Sequence, residues 1–160
     1  MAGKVIPATE RGWQGVEIEG YRPGSPDVGV ERHTIVGGRK GAPGEPGPGM
    51  ELRYFELQPG AASRYEKHEH EHYVIVKRGL GHAVVGEQVT EIGPNDVIYV
   101  GPLTTHQFLN RGDEPFGFYC FVDACRDFSQ QPTEEDLARL AASPAAAIAK
   151  PFAVPPPAKR

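Results

Sequence analysis

EKHEHEHYVIVKRG, residues 66–79, holds three histidines two apart and then runs straight into an apolar segment closed by glycine. The run Tyr73 to Val76 is continuous, β-branched and too short for a helix, so it predicts a buried strand. Lys77-Arg78-Gly79 turns the chain. On a straight strand the preceding alternation would point Glu66, His68, His70 and His72 to one face.

The same grammar extends outward in both directions. Upstream, Met50 to Leu57 (MELRYFEL) alternates, with Leu52, Tyr54 and Glu56 on one face and Glu51, Arg53, Phe55 and Leu57 on the other, until Pro59-Gly60 ends it. Val28 to Val36 predicts a further strand. Downstream, His82 to Val85 and Val89 to Ile92 predict a hairpin around Gly86-Glu87. Val97 to Val100, His106 to Leu109 and Phe116 to Val122 follow, separated by turns at Gly93 to Asp96, Gly101 to Thr105 and Asn110 to Pro115. Short strands recurring about every ten residues predict an all-β sandwich or barrel.

Residues 1–27 are expected to form an N-terminal extension, with Gly15 to Glu19 as an edge strand over a barrel spanning 28–128. Gly37 to Gly49, with six glycines and three prolines, predicts a loop. In 129–160, Thr133 is a candidate N-cap for a short helix through Leu140 and Ala141, with Glu134, Glu135 and Asp136 where the helix dipole favours negative charge. The Ala- and Pro-rich tail beyond Pro144 is expected to be weakly ordered or packed on a partner subunit.

Composition agrees with many turns: 16 prolines and 20 glycines in 160 residues argue against a helical bundle. A net charge of −4 with no basic tract argues against a nucleic-acid partner. No apolar run approaches membrane-spanning length. The plain reading is a cytoplasmic protein whose two cysteines, Cys120 and Cys125, are reduced.

The histidine spacing constrains any shared ion. Strand residues two apart are separated by roughly 6.6 Å and those four apart by roughly 13 Å, whereas imidazole nitrogen binds zinc at about 2.0–2.1 Å. If His68 and His72 share a metal, the chain must bend between them, and the bend would turn His70 elsewhere. The alternatives are Glu66 and His68 before a bend with His72 after it, or a His68/His70/His72 ladder. His33 and His82 lack a partner pattern and are read as structural.

Here the sequence resembles the cupin superfamily. Its first motif is matched by Gly60, five residues to Glu66, His68 one residue beyond, His72 four later, and six residues to Gly79. Its second is matched by Asn95-Asp96, an apolar strand, Pro102, His106 and Asn110. The match covers roughly 50–122. Glu66 stands where the family usually has histidine and His72 where it often has glutamate; Asn95 replaces a turn glycine, and Gly101-Pro102-Leu103 departs from Pro-x-Gly.

The resemblance implies a cupin-type antiparallel β-barrel, the double-stranded β-helix or jelly roll, binding one divalent metal through Glu66, His68, His72 and His106. Iron, manganese or nickel would keep open positions for a substrate; tetrahedral zinc would be closed. It further implies an enzyme on a small oxygen-bearing substrate, a dioxygenase or an isomerase/lyase, or else a non-catalytic metal- or ligand-binding cupin acting as sensor or scaffold. Tyr54, Phe108, Phe118 and Cys120 are candidate pocket walls by alternation, and Tyr73 or Glu71 could orient a ligand histidine. A homodimer is expected, since sheet edges need cover.

Overall fold

The computed structural model describes residues 3–20 and 28–151. Eleven strands appear in chain order: β1 Ala8–Thr9, β2 Gly12–Trp13, β3 Ile18–Gly20, β4 Val30–Val36, β5 Met50–Leu57, β6 His72–Arg78, β7 Gly81–Val85, β8 Gln88–Ile92, β9 Val97–Val100, β10 His106–Leu109 and β11 Phe116–Asp123. They form a six-stranded sheet in the order β3-β4-β5-β11-β6-β9 and a three-stranded sheet β10-β7-β8, with β1 and β2 as a separate hairpin. Every pairing is antiparallel. The fold is the expected all-β cupin-type barrel with one short C-terminal helix.

Apolar side chains from the facing strands fill one end. Leu57, Val74, Val76, Ala83, Phe116 and Phe118 are all buried in one cluster. Burial of this kind removes each side chain from water at roughly 1.5–3 kcal/mol, and it holds the sheets together without needing the other end. That other end carries the polar residues and stays open.

Alternation along the strands places the faces, with one reversal of expectation. Tyr54 does not line the interior. It lies on the outer face of the large sheet, beneath Trp13 (ring centroids 5.2 Å apart) and beside Tyr119. The interior instead receives Glu51 and Arg53, because the two faces of β5 are nearly equal in apolar content and packing of the β1–β2 hairpin claims the aromatic one. His33 also lies beneath Trp13, buried and structural.

The edge strand expected near residues 15–19 is β3, shifted to 18–20 and paired with β4. Residues 37–49 form no helix or strand. The helix α1, Glu134–Ala141, starts at Thr133 with a reciprocal capping box to Asp136, which satisfies two otherwise orphaned donors. Its Leu140 and the following Ala145 pack with Val84 and Leu109 on the back of the small sheet. The tail through Lys150 therefore packs on its own barrel, held by Gln107 accepting from the Lys150 amide at 2.8 Å; Phe152 onward lies outside the described residues.

Two motif departures are resolved by backbone conformation. Asn95 and Leu103 are the positive-φ non-glycine residues among those described, at 75° and 55°. Both stand where the cupin motif has glycine, so the turns keep the left-handed geometry without it. Leu103 is strained there, yet its amide donates to the His68 carbonyl at 2.7 Å and fixes that segment. Its side chain is exposed, so Leu103→Gly is expected to leave the fold intact and to raise stability by up to about 1 kcal/mol. Chemical denaturation checks this, and a clear loss of stability would contradict it.

Candidate metal centre

Local geometry brings the histidines together from three segments. Glu66 and Lys67 pair by isolated bridges with His106 and Gln130, the chain bends at Glu69-His70, and His72 opens β6. His106 opens β10 from the opposite sheet. The ligand atoms of His68, His72 and His106 lie within 4.8 Å of one another, and all three side chains are buried. Sheet pairing and the bend thus remove the roughly 13 Å strand separation that strains a shared ion between His68 and His72.

Tautomers follow from the partners. The Nδ1 of His68 lies 2.8 Å from the His70 carbonyl, and that of His106 lies 3.0 Å from the Thr104 carbonyl. A carbonyl cannot donate, so each Nδ1 carries the proton and each Nε2 presents a lone pair. The Nε2 of His68 is buried with no hydrogen-bond partner. A buried acceptor left without a donor is costly in itself, and oxygen partners behind ligating imidazoles are how metal sites orient their histidines. The donor set fits a divalent ion.

Two neighbours complete the surroundings. Glu66 is hydrogen-bonded backbone-to-backbone with His106 in both directions, which puts the two side chains on one face, but its carboxylate is outside the convergent group. His70 is not turned away as the bend alone would suggest. Its Nδ1 donates to Asp127 at 2.6 Å, its ring stacks on His68 with centroids 3.7 Å apart, and its Nε2 lies 3.1 Å from that of His72. The cause is Asp127, which also accepts from the amides of Glu69 and His70 and folds the ring back. Asp127 lies beyond the barrel motifs, so no local pattern in the sequence marks it. The proposed helpers Tyr73 and Glu71 instead bond each other at the surface, where Tyr99 also donates to Glu71.

Burial keeps these imidazoles neutral. It pushes His68 and His72 below their ordinary range, helped at His72 by the neighbouring His106, and pushes His70 and His106 down to about 4. Asp127 is also buried in part, which opposes ionisation, but the hydrogen bonds from Glu69 and His70 prevail and hold it near 2. An unfolded histidine titrates near 6.5, so between about 4 and 6.5 the unfolded chain binds more protons than the folded one. Stability rises with pH in that window. The metal-free protein is therefore expected to lose melting temperature steadily as pH falls from about 6.5 to about 4. Thermal melts across that range check it, and a flat midpoint would refute it.

His72 and His106 line a cavity of about 610 Å³ together with Phe108, Phe118 and Cys120. Cys120 is buried, with its sulfur 3.5 Å from His72 Nδ1 and 3.2 Å from an Arg53 nitrogen. Beneath it, the buried Glu51 accepts from Arg126 at 2.8 Å and lies 3.6 Å from Arg53 Nε. Charged residues inside a barrel cost several kcal/mol unless paired. Their alternation at positions 51 and 53 was visible in the sequence, but not which way it faced. Cys120 and Cys125 are unbridged.

A family model described as the cupin domain matches residues 53–122. The chain is 41% identical over 137 residues to the 1-methylthio-D-xylulose 5-phosphate methylsulfurylase of Rhodospirillum rubrum, covering 84% of this chain and 83% of that protein. The chain belongs to the cupin family. Among solved cupins it is similar to a cupin-2 domain protein of Rhodospirillum rubrum, with 37% identity, TM-score 0.73 and coverage of 90% of this chain and 93% of that one. A cupin 2 conserved barrel protein of Rhodopseudomonas palustris gives 34% identity, TM-score 0.74 and coverage of 90% and 97%. Among the described residues of this cupin, no helix is long and apolar enough to cross a membrane.

Proposed function

We propose that this cupin is a metal-dependent enzyme that removes the methylthio group from a 1-methylthio ketose 5-phosphate. The observation that carries this reading is a buried thiol, Cys120, on the wall of the cavity that holds the histidine cluster. The similarity to a methylsulfurylase supplies the substrate class.

His68, His72 and His106 are the proposed ligands of one divalent ion, with Glu66 as the fourth, a carboxylate that offsets the ion's charge among neutral imidazoles. Iron, manganese or nickel suits such a set. When bound, the metal supplies Lewis acidity toward the ketose oxygens. The remaining chemistry belongs to the chain. The thiolate of Cys120 attacks the methylthio sulfur, forming a methyl disulfide on Cys120 and breaking the bond between sulfur and C1. The electron pair of that bond stays on the sugar as an enolate, which takes a proton at C1 to give the 1-deoxy ketose phosphate. A low-molecular-weight thiol then exchanges with the disulfide, leaving as its own methyl disulfide and restoring Cys120.

Burial pushes the Cys120 thiol up, and Arg53 beside the sulfur opposes that. With His72 Nε2 committed to a cation, its Nδ1 carries the proton and faces the same sulfur, which further favours the thiolate. Phe108 and Phe118 limit water around the reacting bond. The test incubates metal-loaded protein with 1-methylthio-D-xylulose 5-phosphate and follows the sugar product, first without and then with added thiol. One product per active site without thiol, and many with it, is expected. No product under either condition would overturn the reading.

A further inference from the structure

Buried polar atoms without partners come in two kinds at the metal centre and the cavity beside it. One is the acceptor already assigned to the metal, His68 Nε2; the others are Arg32 Nε, Thr34 Oγ1 and Arg53 Nε. Guanidinium nitrogens only donate and the threonine hydroxyl can donate, so this second group calls for an acceptor. All three residues project from the inner face of β4 and β5: Arg32 and Thr34 are two apart on β4, and Thr34 is the register partner of Arg53. All line the same cavity as His72 and His106.

The charge balance points the same way. Five arginines and three glutamates line the cavity, and this excess of cationic side chains suits a phosphate ester dianion. Glu19 occupies one terminal nitrogen of Arg32 at 3.0 Å, and the Nε of Arg32 is buried without a partner. Arg53 Nε lies 3.6 Å from the Glu51 carboxylate, beyond hydrogen-bond length, and one terminal nitrogen reaches Cys120, so Nε has no close acceptor of its own.

Position along the sheet gives the ligand's direction. One row runs from Val74 on β6 through Cys120 on β11 and Arg53 on β5 to Thr34 on β4. From Cys120 to Thr34 is two strand spacings, about 10 Å of backbone, the scale of a five-carbon phosphate. We infer that Arg32, Thr34 and Arg53 form an oxyanion subsite on the inner face of β4 and β5 that grips the 5-phosphate while C1 lies by Cys120. This rests on the substrate class proposed above and names the residues that select it.

The test uses metal-loaded full-length protein and titration calorimetry with D-xylulose 5-phosphate and D-xylulose. The wild type is expected to bind the phosphorylated sugar at least about tenfold more tightly, the worth of a charge-assisted hydrogen bond. Thr34→Val and Arg32→Gln should each lose about tenfold for the phosphate alone, whereas Thr34→Ser, which keeps the hydroxyl, should retain it. Equal binding of both sugars by the wild type, or unchanged phosphate preference in Thr34→Val and Arg32→Gln, would overturn the subsite. Turnover of the methylthio substrate, measured in the same samples, separates the two claims. Phosphate preference lost in the variants without turnover in any protein would leave the subsite standing and remove the reaction. Turnover with unaltered KM in both variants would do the reverse.

Discussion

Alanine at His106 is expected to lower metal affinity by more than a hundredfold and leave the purified protein with little bound ion. The His106 ring offers a ligand atom within 4.8 Å of those of His68 and His72, and its orientation is fixed by the Thr104 carbonyl behind it. Loss of a partner behind a ligand typically costs tenfold to a hundredfold in affinity; loss of the ligand itself removes a bond as well. The fold should persist, since the apolar cluster at the other end holds the sheets without it. Elemental analysis of wild type and variant gives the answer, and full occupancy in the variant would refute the assignment. Glu66→Gln and His70→Gln in the same series identify the fourth donor. The first is expected to weaken binding, since it removes the only proposed anionic ligand, and the second to change it little. A reversal would move the fourth position to His70, whose Nε2 already lies 3.1 Å from that of His72.

Serine at Cys120 is expected to abolish methylthio transfer, by about a thousandfold or more, with metal content unchanged. The alcohol has nearly the thiol's shape but cannot accept a methylthio group as a disulfide. Its contact is with His72 Nδ1 rather than the nitrogen turned to the cluster, so the ion should remain. Intact mass measurement without added thiol should show one methylthio adduct on the wild type and none on the variant. Normal turnover by Cys120→Ser would remove the cysteine from the chemistry, whatever the metal does.

The barrel was legible because turns and strands are written locally. Gly86-Glu87 turns the β7–β8 hairpin, and Thr133 caps α1 through its own oxygen. The glycine at 79 is required by its backbone: φ is 71°, and a Cβ there would clash with the Pro115 carbonyl oxygen. By contrast, Tyr54 could not be assigned to a face. Period-two alternation says which residues go together and not which set is inside, and on β5 both sets hold aromatic and charged members.

By itself, then, the sequence determined the succession of strands along an antiparallel cupin barrel and the spacing that nominates His68, His72 and His106, because hydrophobic period and turn residues act over a few positions. Tertiary structure alone decided that these imidazoles converge, that Asp127 folds His70 back onto His68, and that Arg32, Thr34, Arg53 and Cys120 share one cavity. Each of those facts joins residues far apart in the chain. Their encounter depends on sheet closure and on which face of β5 the β1–β2 hairpin covers, and neither is encoded in a local pattern.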